Sequence, residues 1–129
     1  MFFYSKLAVL AVVLAVAGCN AVPILNVKDA PVSGSSGKVM INAEVRSAIL
    51  RAGAALGWQM KDEDSNKLVG TILLRDHSAV VEIPYTSSNY SINYRSSTNL
   101  KESGGSIHKN YNGWIQNLTR GINAQLTAS

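Results

Sequence analysis

A single thiol, two imidazoles and a scatter of carboxylates and tyrosines make up the reactive inventory of this chain. The thiol is Cys19, the one cysteine in 129 residues. It follows Val16-Ala17-Gly18 at the exit of the uncharged run Leu7–Ala17. A thiolate is a strong nucleophile, and small neighbours let an enzyme close around the backbone beside it. The imidazoles are His77 and His108. Asp76-His77 with Glu82 would offer metal ligands or a proton relay, but one histidine and scattered carboxylates lack ligand spacing. Such a histidine reads more simply as part of an exposed turn. His108 would act as general base to Ser106, or more simply as a helix cap or a partner of Tyr111. No third group is readable to orient a triad. Tyr85, Tyr90, Tyr94, Tyr111 and Trp114 would line a groove for a glycan or peptide, because aromatics with a polar tip suit wet interfaces. Tyr94 and Trp114 also fall on stripes that read as buried. Asp62-Glu63-Asp64 reads as a solvated hairpin turn rather than a cation site. The inventory implies no catalytic set, no metal and no cofactor. Binding is expected from Tyr90, Asn93, Arg95 and His108.

The surroundings of Cys19 make an address. Lys6 precedes the apolar run, and small residues close it, as in a secretory signal. Leu7–Ala17 is far shorter than the roughly 20 residues a spanning helix needs. Val16-Ala17-Gly18-Cys19 resembles the lipobox of bacterial lipoproteins, with valine where leucine is usual. That resemblance implies cleavage between Gly18 and Cys19, a diacylglyceryl thioether on the sulfur and acylation of the new amino terminus. It also favours the outer membrane, because Asn20 stands where aspartate would suggest inner-membrane retention. The alternative is an ordinary secretory signal with an incidental free cysteine. Each acyl methylene in a bilayer contributes ~0.8 kcal/mol, and one chain alone holds only marginally. Several chains on one residue would anchor the protein stably and leave no thiol for a disulfide, a metal or catalysis.

About 110 residues then remain, enough for one modest domain and too few for two. The precursor has 12 basic and 8 acidic side chains, a formal charge of +4. Past Pro84 the one acidic residue is Glu102, set against Arg95, Lys101, Lys109 and Arg120. This mild bias suits anionic lipid, lipopolysaccharide or peptidoglycan, and equally an ordinary solvated surface. No Lys/Arg cluster amounts to a nucleic-acid footprint.

These groups must be positioned by a small set of elements. Residues 1–18 read as the signal and 19–38 as a lipidated flexible tether, with Pro23, Pro31 and Ser33-Gly-Ser-Ser-Gly37. Gly34-Ser-Ser-Gly-Lys38 is too short for a phosphate-binding loop, and Val39 replaces its hydroxyl residue. The domain proper is expected over 39–129. Asn42 is placed to cap a helix over Asn42–Leu56, where Val45, Ile49, Ala52 and Leu56 recur at helical spacing. Gly57 suits a left-handed terminus.

Alternation then predicts four strands, Trp58–Lys61, Leu68–Leu74, Ala79–Tyr85 and Tyr90–Ser96. Gly70 marks a bulge or a close approach. Short links make the strands an antiparallel meander. Its apolar face is expected to carry Trp58, Met60, Ile72, Leu74, Val81, Ile83, Ile92 and Tyr94. Its wet face would show Thr71, Glu82, Asn93 and Arg95. Ile107–Leu126 carries a second helical stripe through Tyr111, Trp114, Ile115, Leu118 and Ile122. Gly113 and Gly121 each weaken that helix by about 1 kcal/mol relative to alanine. The sum is an α+β two-layer sandwich, with both helices covering one sheet face.

Tyr90-Ser-x-x-Tyr94, Ser97-x-Asn99-Leu100 and Ile107-His-x-x-Tyr-Asn-x-Trp-Ile-x-Asn-Leu118 resemble a pattern recurrent in short proteobacterial lipoproteins of unassigned function. The topology is also similar to helix-grip modules, including those of the lipoprotein subunit of the outer-membrane β-barrel assembly machine. That second likeness transfers no functional residue. The expectation is a lipid-anchored, periplasm-facing binding or assembly accessory, held to the outer membrane through Cys19 and meeting an envelope protein or peptidoglycan. The alternatives are a cell-wall or ester hydrolase using His108, or a small inhibitor of an envelope-directed hydrolase.

Overall fold

Strict alternation decides the sheet. In the computed structural model, which describes residues 20–129, the inward positions Leu68, Ile72, Ala79, Val81, Ile83, Tyr90 and Ile92 are all buried. A one-residue slip would put each of them in water, so the register is well specified. Strands β3 (Trp58–Asp64), β4 (Lys67–Leu74), β5 (His77–Pro84) and β6 (Asn89–Thr98) pair antiparallel in sequence order. Trp58 faces Ile72, Gly70 faces Val81, and Val81 faces Tyr94. Tight turns close the first two hairpins, with Asn66 and Arg75 at positive φ. Pro84 ends β5, where its missing N–H costs no ladder bond. The glycine at position 70 is required by a close approach. A Cβ there would come within 2.9 Å of Met60 Sδ, so the bare backbone lets Met60 lie across the strand.

Helix α1 (Asn42–Ala55) buries Val45, Ala48, Ile49 and Ala52, and α2 (Lys109–Ala128) buries Tyr111, Ile115, Leu118, Ile122 and Leu126. Both stripes join the inward sheet residues in one core. Each large aliphatic side chain buried there contributes about 1.5–3 kcal/mol. Gly57, at φ +89°, provides the expected left-handed exit from α1. Gly121 faces Ala52 and Leu56, so this glycine serves contact between the helices. The expected α+β class is therefore present.

Three expectations need correction. The meander has a fifth strand, because β2 (Val27–Pro31) joins the β6 edge to give the order β2-β6-β5-β4-β3. A separate two-stranded sheet pairs β1 (Ala21–Pro23) with β7 (Ser106–His108). The stretch read as a tether thus carries two strands, Ala21–Pro23 and Val27–Pro31, and the folded unit includes residues well before 39. Its prolines concealed this: Pro31 ends an edge strand that carries Lys28 and Asp29, a composition suited to an exposed edge. The α1 cap also lies one residue earlier than expected. Ile41 takes that position, and its N–H is held by Glu44 Oε1 at 3.2 Å.

Candidate functional site

The sequence-predicted residues do not converge. Tyr90 is fully buried, and its hydroxyl donates to Asn123 Oδ1 at 2.7 Å. Burial raises its pKa to about 12. Its ring is part of the core and offers no face to a ligand. His108 sits at the other end of α2, as its N-cap, where Nδ1 accepts the Asn110 N–H at 3.1 Å. Asn123 lies 15 residues beyond His108, about 22 Å along a helix at 1.5 Å per residue. The Nδ1 lone pair is committed to the cap, so the ring proton resides on Nε2. His77 Nδ1 lies 3.0 Å from the Asn99 carbonyl and Nε2 lies 3.6 Å from Asp76. Glu82 stands five positions along β5, about 17 Å away at strand rise. Among the described residues no three His, Cys, Asp or Glu side chains converge on a point that would hold a metal.

Asn93 and Arg95 do share the open sheet face. Asn93 is half-buried and sits opposite Glu82. Arg95 occupies a bulge, since Val80 pairs with Ser96 and Val81 with Tyr94. Its guanidinium donates to Glu82 at 2.8 Å and to both oxygens of Glu63 at 2.8 and 3.0 Å. Lys67 Nζ lies 3.3 Å from Glu63 and 3.7 Å from Glu82. The Arg95 hydrogen bond holds the Glu63 carboxyl below the usual range, Lys67 assists, and partial desolvation opposes both. The two carboxylates raise the Arg95 pKa further. Arg95 is therefore engaged within the chain.

A different region gathers more of the molecule's unusual features. It is the seam where the chain after Cys19 meets the start of α2. The Asn20 carbonyl accepts the Lys109 N–H at 2.8 Å. Ala21 then pairs with His108, and Val22 with Ile107. Asn112 mimics a strand backbone: Nδ2 donates to the Pro23 carbonyl at 2.9 Å, and Oδ1 accepts the Leu25 N–H at 3.0 Å. Ile24 N–H donates to Gly105 O at 2.9 Å, and Asn26 Oδ1 accepts the Tyr94 N–H at 2.8 Å.

Trp114 stands beside this seam. It is only half-buried and packs against the core, so the expectation that it is core holds in part. It borders a concavity of about 490 Å³ with Val22, Lys109 and Asn112, and another of about 160 Å³ with Leu56, Leu74 and Ile72. Leu74, expected inside, is 45% exposed because it is the last residue of β4 and borders an open hollow rather than the filled core. Gly113 opens onto empty space, so the helix surface is low beside Trp114. The stripe through Trp114 gave no sign of this. The exposed pair Leu73-Leu74 against a turn was the available signal. Tyr94, expected on the buried face, is half-buried and edge-on to Tyr111 with centroids 5.5 Å apart, its hydroxyl 2.8 Å from Ser97 Oγ.

Comparison with known proteins finds no matching family model, no matching curated sequence and no matching solved structure. Among the described residues no helix is long and apolar enough to cross a membrane. Cys19 and the leader lie outside the described residues.

Proposed function

We propose that this chain is a lipoprotein of the bacterial outer membrane, anchored through Cys19. Its periplasm-facing α+β domain is a binding or assembly accessory for an envelope protein or the cell wall. The observation that carries the reading is Val16-Ala17-Gly18-Cys19 closing an apolar run, two residues before the chain enters β-structure. A nucleophilic thiol at that position is suited to acylation, and several acyl chains give stable membrane attachment. The polar open sheet face, with Asn93 and the Arg95 network, is the surface such a domain would present to a partner. A hydrolase built on His108 draws no support from the geometry, since Nδ1 is engaged as a cap acceptor.

Intact mass of protein extracted from native membranes tests the reading. The expected species lacks residues 1–18 and carries a diacylglyceryl thioether and an amide-linked acyl chain on Cys19. An unmodified thiol, or a retained leader, would overturn it. Benzophenone placed at Asn93 then reports the partner by crosslinking in cells. Absence of any envelope adduct across growth conditions would count against the accessory role.

A further inference from the structure

The acyl anchor and the seam have a geometric consequence. A 20-residue flexible tether would hold the domain at a mean distance of about 25 Å, at 5–6 Å times the square root of its length. The folded chain gives no such freedom. Asn20 is already hydrogen-bonded to Lys109, and consecutive Cα atoms are about 3.8 Å apart. Whatever side of the domain carries Asn20 must therefore lie at the lipid headgroups when Cys19 is acylated.

That side is furnished for a lipid surface. The register places several chain segments there together. Trp58 and Ile72 pair at the start of β3, the β4–β5 turn follows Leu74, and His77 reaches the Asn99 carbonyl. Leu100 O accepts the His108 N–H, which brings in β7 and with it β1. Leu56 and Leu74 are 39% and 45% exposed, and both border the hollow beside Trp114. An indole with an apolar body and one N–H donor suits the headgroup level of a bilayer. Arg75, Lys101 and Lys109 stand in no ion pair among the described residues, while Asp76 and Glu102 are the acids on these same turns. The other acidic side chains lie elsewhere, on β2, α1, β3 and β5.

We propose that the end of the domain formed by β1, β7, the first turns of α2 and the β4–β5 turn is a membrane-seating surface. In it Trp114, Leu56 and Leu74 dip among phospholipid headgroups beside the acylated Cys19. The proposal rests on the lipoprotein reading. It goes further by fixing the orientation of the domain, with its open sheet face left for a partner.

Fluorescence quenching tests it on the full acylated chain, with acylation verified by mass on the same sample. The protein is reconstituted in phosphatidylethanolamine–phosphatidylglycerol vesicles whose acyl chains are brominated near the headgroup. Wild type is compared with Trp114→Phe, which leaves the buried Trp58 as background. The expected result is strong loss of the Trp114 emission on brominated relative to plain vesicles, with shielding of that emission from aqueous iodide. Equal emission in both vesicle types, from protein that carries its acyl chains, overturns the seating surface and leaves the anchor standing. A free Cys19 thiol in the membrane-extracted protein overturns the anchor and the seating surface with it.

Discussion

At the far end of the sheet, Arg95 grips Glu63 and Glu82 while Lys67 approaches the same two carboxylates, and Arg46 pairs with Asp62 at 2.6 Å. At the near end, Arg75, Lys101 and Lys109 stand outside any ion pair among the described residues, and Leu73, Leu74 and Trp114 meet solvent. The contrast separates two ways of finishing a sheet. Mutual pairing lets a charged surface satisfy itself, at little net gain in stability when the pairs are exposed. Unpaired cations beside apolar side chains leave a surface that gains when something else covers it. The near end is also where the chain leaves Cys19, so the unfinished surface and the proposed anchor coincide.

The comparison is broken most severely by a cavity at the near end. Ile107 is fully buried in β7 and faces Val22. Ile107→Ala should cost about 2–5 kcal/mol, read from the urea midpoint of the mature protein. A negligible shift would mean that the near end folds apart from the main core. Asn112→Ala comes next. It removes two hydrogen bonds that hold the N-terminal segment, with an expected loss of about 1–3 kcal/mol. The Leu25 amide should exchange faster in this variant, while α2 core amides should not.

The tyrosines sharpen the contrast at a smaller scale. The Tyr111 hydroxyl is buried with no hydrogen-bond partner among the described residues, and burial raises its pKa. Tyr111→Phe should therefore be neutral or stabilising by up to about 1 kcal/mol, because it removes an unmet desolvation cost. Tyr90→Phe forfeits the bond to Asn123 and should destabilise by about 1 kcal/mol. Thermal unfolding of both variants checks the opposite signs.

The smallest effect belongs to the exposed charges. Pairing lowers the Glu63 pKa in the folded protein, so its contribution is present at neutral pH and is lost as pH falls through the carboxylate range below 4.5. Arg95→Ala should lower stability slightly near neutrality, leave it unchanged at low pH, and so flatten the acid limb of the stability profile. An unaltered acid limb would show that the far-end pairs carry no linkage.

Much of the scaffold was legible because alternation and helical spacing are strong signals. Most inward residues of strands β3 to β6, the two buried helical stripes apart from Trp114, and the Gly57 terminus could be read directly; Leu74 at the end of β4 could not, and Gly70 read equally as a bulge or a close approach. The N-terminal strands were not. Ala21–Pro23 and Val27–Pro31 are too short to show a period, and their partners lie far along the chain. Their order depends on Asn112 and Lys109, long-range contacts that no local pattern announces. Tyr90 was legible as an alternating inward residue, yet was also offered for binding, and its burial decides between those roles. Trp114 sits on the buried stripe but at its edge. Its exposure depends on Gly113 and on where β4 ends, which spacing within the helix does not report.

The central claim is that the chain is already tied to α2 at Asn20, so that little slack separates an acylated Cys19 from the folded domain. Amide hydrogen exchange on the acylated, membrane-bound protein tests it most directly. The Ile24, Leu25 and Lys109 amides donate to Gly105, Asn112 and Asn20, so each should be protected to a degree comparable with the β5–β6 ladder. Exchange of these three at the rate of an unstructured chain, with the ladder still protected, would contradict the account.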